Sequence, residues 1–138
     1  MHKILSALII CFSLTLCSCV GGLDTFRDNN RKNILKLSIG MLKSDVDRIM
    51  GHNSDSGNEV YKAKFVGAIK VSNPYKSEIL KGKDIIFEVW YYYTDLKSDD
   101  GAITDDELMP IVFEDGKLIG WGQSFLGDMV HRYEIRFR

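Results

Sequence analysis

Two hydrophobic periods divide this chain, and the change falls near Glu59. Before it, Leu42, Val46 and Ile49 recur at the spacing of one helical face. Gly51 follows at the position where a left-handed residue ends a helix. This pattern predicts a short helix that begins after Leu42 and ends before Gly51.

A more polar helix is predicted upstream of that one. Asp24 or Thr25 is a suitable N-cap for a helix that runs through Leu37. Its sparse apolar side consists of Phe26, Ile34 and Leu37. Residues 27–33 are too polar to be buried all round, so we expect a solvated arm or a helix that packs only at its C-terminal end.

From Glu59 onward the hydrophobic period is two, which is typical of strands. Residues 60–71 are rich in β-forming types, with an expected bulge at Gly67 and a break at Asn73-Pro74. Residues 85–94 form the strongest predicted strand. Strict alternation assigns its side chains to two faces, namely Ile85, Phe87, Val89, Tyr91 and Tyr93 on one and Ile86, Glu88, Trp90, Tyr92 and Thr94 on the other.

Residues 109–113 and 118–122 are apolar runs on either side of Asp115-Gly116, which is a strong hairpin signal. Residues 133–138 alternate like a last edge strand, with arginines that would protect the edge. Two helices followed by an antiparallel meander of three or four strands predict an α+β sandwich of two layers, with the helices on one side of the sheet. We place this domain at residues 39–138, after a tether and polar helix at residues 19–38.

The N-terminal residues have the pattern of a lipoprotein signal peptide. His2 and Lys3 are followed by residues 4–16, which carry no charge and are shorter than the ~20 apolar residues of a membrane span. Leu16 and Ser18 provide the branched and small residues that lipoprotein processing requires before Cys19. We therefore expect cleavage of residues 1–18 and attachment of diacylglyceryl and N-acyl chains to Cys19.

Cysteine usage agrees with this expectation. Cys11 and Cys17 lie in the leader, so Cys19 is the one cysteine left after cleavage, and lipidation would consume its thiol. Without Lys3, 17 of the 18 basic residues remain against 19 acidic ones, a balance that gives no reason to expect a nucleic-acid partner. Val20 after the lipidated cysteine favours the periplasmic side of the outer membrane.

Residues 37–51, with Gly40-Met41, Val46 and Gly51, resemble the helix of the SmpA/OmlA-type lipoproteins. Those proteins include the small lipoprotein of the outer-membrane β-barrel assembly machinery. Residues 89–94 and 110–122 are more similar to an uncharacterised family of small proteobacterial lipoproteins. Both resemblances imply two helices followed by an antiparallel meander.

No residue pattern indicates a catalytic site. His52 and His131 lack a neighbouring serine or aspartate pattern typical of a triad, and two histidines without a cysteine are a poor zinc set. We therefore expect no enzyme activity and no cofactor.

The loop from Asp95 to Glu107 partly fits a calcium loop. With Gly101 at the sixth position, Asp100 falls fifth and Glu107 twelfth, but Leu96 stands where the first ligand should be aspartate. A solvated acidic loop is the simpler interpretation, and Asp100 and Glu107 are weak metal candidates.

The aromatic residues of the sheet allow two interpretations. Trp90, Tyr92 and Trp121 either pack in the core or form an exposed patch that binds a partner. The function favoured by these observations is a membrane-anchored, non-enzymatic module for protein binding or envelope assembly. The alternatives are an inhibitor whose loop, residues 95–108, occludes an enzyme cleft, and a weak cation-binding lipoprotein.

Overall fold

Three helices surround a four-stranded antiparallel sheet in the computed structural model, which describes residues 23–51, 59–63, 67–98 and 100–135, with the backbone alone for 59–63 and 67–70. The helices are α1 (Leu23–Ile34), α2 (Lys43–Met50) and α3 (Gln123–Arg132). The strands are β1 (Glu59–Ala63), β2 (Gly67–Val71), β3 (Lys76–Lys81), β4 (Ile86–Tyr93), β5 (Leu108–Glu114) and β6 (Lys117–Trp121). None of the described helices is long and apolar enough to cross a membrane.

The strand order of the sheet is β3-β4-β5-β6, and each strand is antiparallel to its neighbours. The predicted hairpin joins β5 to β6, where Asp115 and Gly116 both have positive φ, as the tight hairpin turn requires. The α+β class, with two helices followed by an antiparallel meander, is confirmed.

Side chains of β4 enter two separate hydrophobic clusters. On one face, the side chains of β4 join Leu126 and Met129 of α3 in the first cluster. These β4 residues are Phe87, Val89, Tyr91 and Tyr93. Trp90 and Tyr92 point to the other face and join Val46 and Met50 of α2 in the second cluster. The predicted division of β4 into two faces is confirmed, and both of its faces are covered by a helix.

Helix α3 adds a third layer that the prediction of a two-layer sandwich lacked. Its side chains Leu126 and Met129, three positions apart on one helical face, pack on the first cluster. The edge strand expected at residues 133–138 is not formed by its described part. Tyr133 caps α3 by donating its N–H to Met129 O, and Ile135 is buried in the first cluster. Arg136 and Arg138 lie outside the described residues.

Helix α1 packs along its whole length, so neither expectation, a solvated arm or a helix packed only at its C-terminal end, is correct. Phe26 belongs to the first cluster and Ile34 to the second, so the helix contacts both sides of the sheet. Between them, Arg27 and Asn30 are buried despite their polarity. Burial is possible because the sheet supplies a hydrogen-bonding partner for each of them.

The end of β4 provides these partners. Arg27 Nη1 donates to the Tyr93 hydroxyl at 2.9 Å, and Asn30 Nδ2 donates to the Tyr93 carbonyl oxygen at 2.8 Å. Arg31 donates to the carbonyl oxygen of Thr94. Asn73 links the same helix to α2, because its side-chain amide donates to Asn30 Oδ1 and to the carbonyl oxygen of Met50.

The predicted single strand with a bulge at residues 60–71 is replaced by two antiparallel strands, β1 and β2. Strands β1 and β2 pair with each other in a separate two-stranded sheet, with Ala63 opposite Gly67 and Glu59 opposite Val71. Gly67 is therefore a paired residue at the start of β2. Val71 anchors β2 through its burial in the first cluster.

We expect Tyr93→Phe and Tyr92→Phe to change stability in opposite directions. Tyr93→Phe removes one acceptor of the buried Arg27 guanidinium, which also pairs with Asp24, so the free energy of unfolding should fall by about 1.5–3 kcal/mol. The Tyr92 hydroxyl is buried and has no hydrogen-bond partner in the described part of the chain. Tyr92→Phe should therefore raise the free energy of unfolding by about 1 kcal/mol. Urea unfolding measures both changes; equal losses in the two variants would contradict the assigned hydrogen bonds.

Candidate partner-binding surface

Two of the three predicted aromatic contacts are part of the core. Trp90 is 8% exposed and Tyr92 is 0% exposed, so neither can form the exposed patch that was one interpretation of the sequence. Trp121 is half-buried and packs against the second cluster. Trp90 and Tyr92 are buried because α2 covers their face of β4. A sheet with helices on one side only would have left that face in solvent.

The buried aromatic residues have the electrostatics of core groups. Burial raises the pKa of the Tyr92 hydroxyl, and the nearby charge of Asp47 raises it further. The Trp90 indole donates to Glu88 Oε1 at 2.7 Å, and its ring meets that of Phe113 edge-on at 4.9 Å. These contacts explain the aromatic concentration of β4 without a ligand.

The Glu107 carboxylate organises the loop that follows β4. Its side chain is buried, and its two oxygens accept the backbone N–H groups of Lys97 at 2.6 Å, Ser98 at 3.3 Å and Thr104 at 3.0 Å. Asp100 Oδ1 accepts the N–H of Ala102 at 2.9 Å and closes a local turn. The two candidate metal ligands are therefore both engaged within the loop itself.

No group of three or more histidine, cysteine, aspartate or glutamate residues is arranged to hold a metal ion within residues 23–51, 59–63, 67–98 and 100–135. His131 is exposed near the end of α3. His52 and the predicted lipidation site Cys19 lie outside the described residues.

Large apolar side chains are exposed instead at places that the sequence patterns did not single out. In the described part of the chain they are Leu35, Ile39, Leu42, Ile79, Ile86 and Leu96. Three of them fall within the connection between α1 and α2, where Leu35 is 85% exposed. We call Leu35, Ile39 and Leu42 the apolar loop.

Backbone hydrogen bonds attach the apolar loop to the sheet. Gly40 N–H donates to the carbonyl oxygen of Leu118 at 2.7 Å, and Leu118 N–H donates to that of Met41 at 2.8 Å. Lys43 N–H donates to Gly116 O at 2.9 Å. Residues 40–43 thus extend the sheet beyond β6, and the positive φ of Gly40 allows the sharp turn that leads into this pairing.

Buried neighbours fix which side chains the loop exposes. Ile34 and Leu37 are buried in the second cluster, and Met41 packs against it. Leu35, Ser38 and Leu42, which directly follow these three residues, are exposed, and so is Ile39. Lys43 is held close by, with its Nζ 2.8 Å from Glu88 Oε2 and 5.2 Å from the centre of the Trp90 ring. The apolar loop is therefore a well-supported exposed apolar surface.

Residues 23–127, more than two-thirds of the chain, match the profile of a protein family described as "Protein of unknown function (DUF3192)". The chain belongs to this family. The matched segment begins with α1, includes every strand of the sheet and ends within α3. No curated protein and no solved structure matches the chain significantly.

We expect Glu107→Gln to destabilise the protein by about 1–3 kcal/mol, because one of the two buried carboxylate oxygens that accept backbone N–H groups is replaced by a donor. Asp100→Asn is the matched control, since the asparagine oxygen can still accept the N–H of Ala102, and it should change stability by less than about 0.5 kcal/mol. Thermal unfolding without added calcium measures both variants. An equal effect of the two substitutions would show that Glu107 does not organise the loop.

Proposed function

We propose that this chain is a lipid-anchored protein-binding module of the bacterial envelope, which acts without catalysis and recognises its partner through the apolar loop. The observation that carries the proposal is the exposure of Leu35, Ile39 and Leu42 on a segment held by sheet hydrogen bonds. Three large apolar side chains exposed within eight consecutive residues favour an interaction site over the isolated exposed residues that are common on any protein surface. A rigid segment also loses little conformational entropy on binding.

The proposed anchor is consistent with the position of α1. Leu23, where the helix begins, follows Cys19 by four positions, so a fully extended tether spans about 14 Å. A domain on so short a tether stays close to the lipid surface. Its binding partner is then a membrane protein or a protein that works beside the membrane, which agrees with a role in envelope assembly.

The resemblance to SmpA/OmlA-type lipoproteins supports the same proposal. The Gly40-Met41 motif leads into α2 and pairs with β6, and the two helices precede an antiparallel meander as the resemblance implies. Helix α3 is an addition to that arrangement. By this resemblance, a component of the outer-membrane barrel assembly machinery, or one of its barrel substrates, is the expected partner.

The inhibitor alternative has less support. It requires the loop at residues 95–108 to protrude into an enzyme cleft, but Glu107 is buried and Ile103 packs against the first cluster. Leu96 is the exposed apolar residue of this loop. It provides a control position for the experiments below.

Lipidation predicts incorporation of labelled palmitate into the protein in growing cells. Cys19→Ala should abolish the label and release the protein from the membrane fraction, because two or three acyl chains supply the attachment. Cys17→Ala should retain the label. Equal labelling of the Cys19→Ala variant would show that the anchor is not at this residue.

Partner binding through the apolar loop predicts a specific loss in Ile39→Glu and Leu35→Glu. Both positions are exposed, so each substitution should change the free energy of unfolding by less than about 0.5 kcal/mol. A charge placed in the centre of an apolar contact should reduce partner capture at least about tenfold. The matched control is Leu96→Glu, which exchanges the same residue types at an exposed position of another loop.

Photo-crosslinking in intact cells measures this capture. Crosslinkers at positions 35, 39 and 96, followed by mass spectrometry, identify the protein bound at each surface. Recovery of one envelope protein through positions 35 and 39, lost in the glutamate variants, is the expected result. Capture of a soluble enzyme through position 96, with Leu96→Glu alone defective, would overturn the proposal in favour of the inhibitor.

A further inference from the structure

The two edges of the four-stranded sheet are completed differently. Residues 40–43 pair with the outer edge of β6, as described above. The outer edge of β3 has no paired strand anywhere in the described residues. An unpaired edge presents free backbone donors and acceptors, which can pair with a strand of another chain.

The register of β3 and β4 identifies these free groups. Gly82 N–H donates to Ile85 O at 2.9 Å, so Gly82 and Ile85 form a hydrogen-bonded pair. Bonded and non-bonded pairs alternate along an antiparallel ladder. With Ile79 opposite Glu88, the N–H and C=O groups of Ser77, Ile79 and Lys81 therefore point away from β4.

Side chains make one face of this edge apolar and accessible. Ile79 is 57% exposed and Ile86, on the neighbouring strand, is 58% exposed. Both lie on the face covered by α2, because they alternate with Leu80 and Phe87 of the first cluster. The second cluster, which packs under α2, contains no residue of β3, so this part of the face is left uncovered.

The opposite face of β3 is closed by ion pairs. Lys76 Nζ lies 3.2 Å from Glu78 Oε1 and 2.7 Å from Asp105 Oδ1, and the Tyr91 hydroxyl donates to Glu78 Oε2 at 3.0 Å. Burial lowers the pKa of Lys76, but the hydrogen bonds to Asp105 and Glu78 outweigh it and the net shift is upward. These charges are paired within the chain, so the face of β3 on the α2 side is the one that offers unpaired groups.

Lys81 completes the accessible face with a positive charge. It is exposed and forms no ion pair with any described residue. An added strand would place a side chain directly opposite it, and opposite charges at such positions attract. The edge therefore presents, in order, a small polar residue at 77, an apolar residue at 79 and a cation at 81.

We propose that the β3 edge binds an extended segment of a partner protein by antiparallel strand addition. The residues of that segment opposite Lys81, Ile79 and Ser77 are acidic, apolar and small polar, in this order from its N-terminal side. Antiparallel pairing continues the pattern of the whole sheet and is the more stable of the two arrangements. The site lies four strand spacings, about 19 Å, from residues 40–43, so it is separate from the apolar loop.

The test uses the full chain, purified in a mild detergent, and a fluorescent peptide of about seven residues. The three positions opposite Lys81, Ile79 and Ser77 hold glutamate, valine and threonine, in this order from the N-terminus. The intervening positions are all threonine. Fluorescence anisotropy measures the dissociation constant. N-methylation at the three positions opposite β3 should weaken binding at least about tenfold, because each methyl group removes a donor to the edge. N-methylation at the intervening positions should change it less than about twofold.

Variants of the chain test the same contacts from the other side. Ser77→Pro removes an outward N–H without removing a bond to β4, so it should weaken binding about fivefold or more while circular dichroism stays unchanged. Lys81→Glu should weaken binding of the glutamate peptide, and a peptide with lysine in place of glutamate should restore it.

Three results would overturn the proposal. The first is equal binding of both sets of N-methylated peptides. The second is that Lys81→Glu binds the glutamate and lysine peptides equally well. The third is a concentration-dependent dimer through β3 that excludes the peptide. None of them bears on the apolar loop, because crosslinking from positions 35 and 39 does not involve β3. Failure of strand addition is thus distinguishable from failure of the proposed function.

Discussion

Burial of β4 on both faces is the constraint on which the other parts of this structure depend. Its alternating side chains are large and apolar in both directions, with Tyr91 and Tyr93 on one face and Trp90 and Tyr92 on the other. A strand of this kind cannot leave either face in water, because each exposed aromatic side chain would forfeit a large hydrophobic contribution. Helices on both sides of the sheet follow from this requirement. Helix α1 joins the two layers by contacting both clusters.

Polar side chains hold this arrangement together at the ends of the elements. Arg27 and Asn30 are buried in α1 because β4 offers a hydroxyl and a carbonyl oxygen at its C-terminal end. Glu107 performs the same task in the next loop, where backbone N–H groups satisfy its carboxylate. Charged residues that are buried without a metal or substrate are therefore explained by the fold. The two surfaces that we propose for binding, the apolar loop and the edge of β3, lie outside these buried networks.

The edges of the sheet decide which surfaces remain available. Pairing of residues 40–43 with β6 closes one edge and displays the apolar loop, while β3 retains free backbone groups at the other. If both proposed surfaces bind, the sheet would hold two partners at a fixed separation. Together with the proposed lipid anchor, this geometry would suit a connecting role between envelope proteins.

The local pattern of the chain determined the bounds of α2, the two faces of β4 and the hairpin at Asp115-Gly116, because each depends on contacts between residues close in sequence. The predicted apolar stripe of α2 was wrong in part, because its buried side chains are Val46 and Met50 while Leu42 is exposed. The local pattern did not determine α3, whose stripe at Leu126 and Met129 gains meaning only from the apolar face of β4 that it buries. It also could not place Trp90 in the core or Ile39 at the surface. Both residues are apolar, and only the tertiary packing decides which apolar residues find a covering element and which are left over.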